Sequence, residues 1–237
     1  MNVQRTIGMA LLWPALMAAA QDRAPIDPND SSYHPPVPTV IFDLTFYGAN
    51  PSHYSVAVSA NGSAAYQSNG GEDNAATGQS TGVPEMVVFT MSEAGRNRVF
   101  ELARKLNYFD GKFDYTKSRI ANTGSKMLVF ADSTRHVSTT YNYSQNADIQ
   151  ELTRIFQSIS ATLEYGRRLE HDLRYDKLDL YKQLNDMLKQ ADAGELAELQ
   201  AVAPVLQRIS GDSTVMHVAR VDSDRLLARA GMPLARR

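Results

Sequence analysis

At Asn146 the spacing of apolar residues changes from two to three-and-four, and this change constrains the fold more than any other feature of the chain. Before it, VIFDLTFY places Val40, Phe42, Leu44 and Phe46 on one face and Ile41, Asp43, Thr45 and Tyr47 on the other, the alternation of a half-buried strand. After it, Ile149, Leu152, Phe156, Ile159 and Leu163 step as one stripe of a helix lying along a partner. Strands come first and helices follow, the order of an α+β fold.

The strand half has clear punctuation. In HYSVAVSANGSAAYQS, Tyr54, Val56 and Val58 alternate with Ser55, Ala57 and Ser59, and Ala64 and Tyr66 continue a return strand. Asn61-Gly62 predicts a type I′ turn, which needs positive φ at both residues. QSNGGEDNAATGQSTGVP (67–84) is glycine-rich with few large apolar side chains and reads as a mobile loop. EMVVFTM (85–91) is another strand. Ser92 caps a helix with Glu93 in its first turn, Val99, Leu102, Ala103 and Leu106 share one face, and Gly111 in NYFDG stops it. KMLVFA (126–131) and HVSTTYNY (136–143) form a second hairpin around DSTR. The expected fold is therefore α+β: an antiparallel sheet of about five or six strands with one packed helix, followed by an all-helical C-terminal extension.

In that extension, Glu164/Arg168 and Glu170/Arg174 have i,i+4 spacing and support a solvated face. Leu173, Leu180, Leu184 and Leu188 continue the apolar side, ADAG (191–194) breaks it, and Pro204 starts or kinks the next helix. A last short helix is expected over DSDRLLARAG, capped by Asp222 or Ser223.

The beginning of the chain carries a different message. MNVQRTIGMALLWPALMAAAQD has a basic start at Arg5, an apolar run to Ala20 and small residues before Gln21, the layout of a secretory signal cleaved between Ala20 and Gln21. The run falls short of the ~20 residues that span a bilayer, and Pro14 interrupts it. Residues 1–20 are thus expected to be a signal peptide and 21–38 a proline-rich tether (Pro25, Pro28, Pro35, Pro36, Pro38). Residues 39–145 then form the sheet domain and 146–237 the helical region. The expected location is extracytoplasmic, periplasmic or secreted, with no stable membrane span after cleavage. The chain has no cysteine, so neither disulfides nor a lipidated cysteine can hold it. A formal charge of −2 gives no electrostatic footing for a nucleic-acid partner.

Tyr54-Ser-Val56-Ala-Val58, Asn61-Gly62, Tyr66, the 93–106 helix with Phe109 and the strands through Tyr143 resemble, over roughly 39–163, a group of uncharacterised exported bacterial α+β domains. Many of these carry a cysteine pair before the Tyr-x-Val strand, where this chain has Gly48-Ala49-Asn50-Pro51-Ser52-His53. The resemblance implies the fold and an exported setting; the group has no established activity to carry over.

Motifs with chemistry are sparse. His34, His53, His136, His171 and His217 are scattered and make no metal-ligand spacing, so no metal or cofactor is expected. Gly211-Asp212-Ser213 stands too late in the chain for an esterase nucleophile and is read with Asp212 or Ser213 capping a helix. Thr123-Gly124-Ser125-Lys126 places a lysine near hydroxyls, but a turn before a strand explains it. Asp110 and Asp114 lack the dense oxygen ligands of a calcium loop. The most suggestive patch is TTYNYSQN: Tyr141, Asn142 and Tyr143 form a candidate contact surface, since tyrosines give large area with a polar tip. Catalytic residues are not expected. The leading functional expectation is an exported, non-catalytic module binding a protein or other envelope partner through its sheet or its helical region. The alternative is an exported hydrolase, which a pocket with two or more converging polar side chains, His53 or His136 among them, would favour.

Overall fold

The computed structural model describes residues 28, 30–71 and 82–232. The signal at 1–20, the Ala20/Gln21 junction, tether residues 21–27 and 29, and residues 72–81 of the glycine-rich loop lie outside the described residues.

The strands are β1 (Thr39–Thr45), β2 (His53–Ser59), β3 (Ser63–Ser68), β4 (Glu85–Thr90), β5 (Ser125–Ala131) and β6 (His136–Tyr141). They form one antiparallel sheet in the order β4-β3-β2-β1-β5-β6. Helix α1 (Glu93–Lys105) lies between β4 and β5, and α2 (Ala147–Tyr175), α3 (Leu180–Asp192), α4 (Ala203–Gly211) and α5 (His217–Arg229) follow the sheet. The fold is α+β with a helical C-terminal part, as the period change predicts.

Alternation decides which strand face is covered. Phe42 opposes Val56 on one side and Leu128 on the other, and Val56 opposes Tyr66, so these side chains share a face. Val99, Leu102 and Ala103 of α1 pack there together with Ile149, Leu152, Phe156 and Ile159 of α2. The cover thus combines α1 with the first helix of the C-terminal region. Phe156 stacks on Phe42 at 5.2 Å with the rings 2° from parallel. The same core continues without a break through Leu184, Leu206 and Leu227 of α3, α4 and α5. Burial of this one core, with no crosslink, holds sheet and helices together.

The other face carries a small cluster of Ile41, Ala57 and Val129, with Tyr33 packed against it. Pro35 is buried, and the His34 ring meets His136 edge-on at 6.5 Å while its Nδ1 lies 3.1 Å from the Asp132 carbonyl oxygen. Tyr33 and His34 of the proline-rich segment therefore lie against the sheet.

Several local expectations need correction. In the Asn61-Gly62 hairpin only Gly62 takes positive φ (+89°), and its N–H donates to the Ser59 carbonyl. That is the pattern of a type I turn followed by a left-handed glycine, and Asn61 serves by accepting from Ser63 N–H at 3.0 Å. Helix α1 ends before Gly111: Asn107, Tyr108 and Phe109 run consecutively at φ +50°, +55° and +70°. This left-handed turn buries Phe109 and sets Tyr108 against Phe130 at 4.5 Å. Glu164 pairs with Arg167 and Glu170 with Arg208, not with Arg168 and Arg174. Arg168 lies over the Tyr165 ring instead. Helix α5 begins at His217, five residues before the expected cap, so Asp222 and Ser223 are buried inside it. Asp212 ends α4 and ties the turn by accepting from Thr214 N–H at 2.8 Å.

Candidate functional site

The three residues expected to form a contact surface have work inside the fold. Tyr141 is 3% exposed, and its hydroxyl lies 2.7 Å from Thr153 Oγ1 of α2; burial pushes the phenol pKa up. Asn142 is a hub. Its Oδ1 accepts from Thr123 N–H at 2.7 Å, its Nδ2 donates to Ala121 O at 3.0 Å, and its N–H donates to Asp114 Oδ1 at 2.9 Å. Tyr143 accepts from Gln150 Nε2 at 3.3 Å and meets Tyr115 edge-on. These residues line a shallow cleft of about 250 Å³, with Lys126 in its wall.

Lys126 faces the helices from β5 and is buried, which lowers its pKa. Its ammonium donates to Thr123 O (2.8 Å), Thr123 Oγ1 (2.9 Å), Gly124 O (3.2 Å) and Asn142 O (2.8 Å). Three N–H protons face four acceptors, so no donor is left for a ligand. The Thr123 hydroxyl spends its own proton on Asn142 O at 2.8 Å, so the pair is a loop clamp rather than a nucleophile and its base.

A denser polar cluster sits at the rim where β3 ends and β4 begins. The register puts Glu85 opposite Ser68 and Val87 opposite Tyr66, with these side chains toward α2. Tyr66 donates to Glu164 Oε1 at 2.8 Å, Ser68 to the same oxygen at 3.3 Å, and Ser160 to the Tyr66 hydroxyl at 3.3 Å. Arg167 Nε donates to Glu164 Oε2 at 2.8 Å and lies 3.7 Å from Glu85 Oε2. One guanidinium thus serves two carboxylates. Burial, and then the Glu164 charge, hold the Glu85 carboxyl above the usual carboxylate range, with Arg167 opposing them.

On the other side of the same rim, His53 Nε2 lies 2.8 Å from Asp43 Oδ2, and Asn69 Nδ2 donates to Ser52 Oγ at 2.7 Å. Between the two sides opens a cleft of about 340 Å³ lined by His53, Gln67, Ser68, Asn69, Pro84, Glu85 and Met86. A carboxyl that holds its proton more tightly than an ordinary glutamate is the group in this cleft suited to donate to a ligand.

β4 is also an open sheet edge. Among the described residues only β3 pairs with it, and Gln200 Nε2 reaches its last carbonyl, that of Thr90, at 3.4 Å. Met86 is 41% exposed and Val88 58%. The strand has no lysine, no bulge and no proline of its own, devices that normally protect an edge. The opposite edge differs. There Tyr115 N–H donates to Tyr143 O at 2.8 Å and Thr139 Oγ1 to Gly111 O at 3.1 Å, so the 111–123 segment covers the end of β6.

The remaining candidates stay apart. Among the described residues no group of three His, Asp or Glu side chains is placed to hold a metal ion. Among them also, no helix is long and apolar enough to cross a membrane. Sequence reasoning missed Glu85, Met86, Val88 and Glu164. Which strand becomes an edge is a matter of strand order, and no local signal marks it. Glu164 sits beside the apolar stripe and reads as a solvated position. No protein-family model matches this chain, and no curated protein matches it.

Proposed function

We propose that this chain is an exported, non-catalytic module that binds an extended segment of a protein partner in the cell envelope along the open edge of β4. The observation that carries this reading is an edge that, among the described residues, no other strand pairs with, together with two exposed apolar side chains, Met86 and Val88. An added strand gains backbone hydrogen bonds along the edge, and alternate side chains set its specificity. Export rests on the leader sequence from Met1 to Ala20, with its basic start, apolar run and small residues before Gln21. Terminal sequencing of the mature chain tests the setting: it should begin at Gln21, and retention of Met1 on protein inside the cell overturns export. A fluorescent peptide of about ten alternating Val and Thr residues tests the edge. Val88→Lys should weaken its binding about tenfold or more; equal affinity for both proteins overturns the reading.

The alternative is an exported hydrolase, and the cleft lined by His53 and Glu85 favours it. Under it, Glu85 acts as a general acid, and Glu85→Gln abolishes turnover of an ester, glycoside or peptide substrate by otherwise folded protein.

A further inference from the structure

We propose that β4 pairs with β4 of a second copy of this chain, joining two six-stranded sheets into one across a two-fold axis at Val87. This rests on reading the β4 edge as a binding surface, and it names the occupant.

The register follows from side-chain parity. In an antiparallel ladder, residues directly opposite each other point to the same face. In β4, Glu85, Val87 and Phe89 face the helices, and Met86 and Val88 face the other way. A two-fold axis between two residues would oppose an inward side chain to an outward one, so the axis must pass through a residue. Centred on Met86, it would set Val88 against Pro84, which has no N–H to give. Centred on Val88, it would need Thr90, whose carbonyl Gln200 engages. Centred on Val87, it uses 85–89 and sets Met86 against Val88 of the partner subunit, twice. The two exposed apolar side chains of the strand then cover each other, and Val87 meets its own counterpart on the helix side.

Charge permits this arrangement. Glu85 faces Phe89 of the partner subunit, which leaves the two Glu85 positions about 14 Å apart along the ladder. That exceeds the Debye length of ~8–10 Å at physiological salt, and each Glu85 has Arg167 at 3.7 Å. Five residues of edge fall short of the ~800 Å² per partner typical of stable complexes, so the dimer is concentration-dependent.

The chain contains no cysteine, so introduced thiols report on chosen positions alone. Met86→Cys and Val88→Cys proteins are mixed under a mild thiol oxidant. The proposed register brings Cys at 86 and at 88 directly opposite. Two copies of either single variant hold their thiol-bearing Cα atoms about 8 Å apart, beyond disulfide reach. The expected result is a linked dimer several-fold more abundant in the mixture than in either variant alone. Sedimentation provides a second reading: the wild-type mass rises with concentration, and Val88→Lys stays monomeric. No excess of crosslink in the mixture, or a wild-type protein monomeric at every concentration, overturns the pairing. If Val88-dependent peptide binding survives that result, self-pairing alone is overturned; if it is lost too, the edge reading goes with it.

Discussion

Tyr66 on β3 and Glu164 on α2 are 98 residues apart in the chain and share a buried hydrogen bond of 2.8 Å. The bond joins the strand half to the helical half at their common core, and Ser68, Ser160 and Arg167 complete it. Tyr66→Phe removes the main neutral donor to a buried carboxylate while keeping the ring. Hydrogen bonds to charged groups are worth about 1.5–3 kcal/mol, and a loss of that size is expected in urea unfolding.

Glu85 sets a pH dependence. Its folded pKa lies above the ordinary glutamate value, so the native state binds the proton more tightly than the unfolded chain. The stability this contributes is full below the unfolded pKa and is lost as pH rises through the folded one. Glu85→Gln should therefore melt higher than wild type at neutral pH, with the gap closing on acidification toward and below the unfolded pKa. Thermal melts across that range measure it.

Gly166 lies where α2 meets the 3₁₀ turn at Leu199–Val202. A Cβ at 166 would stand 2.6 Å from Val202 Cγ1. Alanine in a helix interior gains about 0.5–1 kcal/mol over glycine, but overpacking a core costs about 1–3. The clash wins, and Gly166→Ala should destabilise. Val202 is β-branched and cannot swing its methyl aside freely. Val202→Ala should relieve the clash, so the double variant should show a favourable coupling in a mutant cycle.

Asn142 pins the loop ahead of β5. With its side chain removed, Thr123 N–H and Ala121 O lose their partners. Asn142→Ala should speed amide exchange over 121–124 while leaving β1 and β2 protected.

These residues show what could be read from sequence and what could not. Alternation placed Phe42, Val56 and Tyr66 on one face, and the Ile149–Leu163 stripe marked a helix; both follow from periods that depend only on local geometry. Ser92 was legible as a cap, and it does accept from Gly95 N–H at 3.1 Å. That Glu198 also reaches this helix start, taking Ser92 N–H at 2.6 Å, depends on tertiary approach and left no local trace. The turn at 107–109 was missed because non-glycine residues there take positive φ, which propensity assigns to glycine. The Tyr141–Tyr143 patch drew attention for its chemistry, and the fold uses that chemistry internally. The rim of β3 and β4 was invisible because strand order, not sequence, makes β4 an edge.

Amide exchange with the Val/Thr strand peptide bound tests the central claim most directly. The account predicts slowed exchange at outward-facing amides within 85–89 and none at 136–141 of β6. Protection confined to another surface, or no change along β4 at saturating peptide, would contradict it.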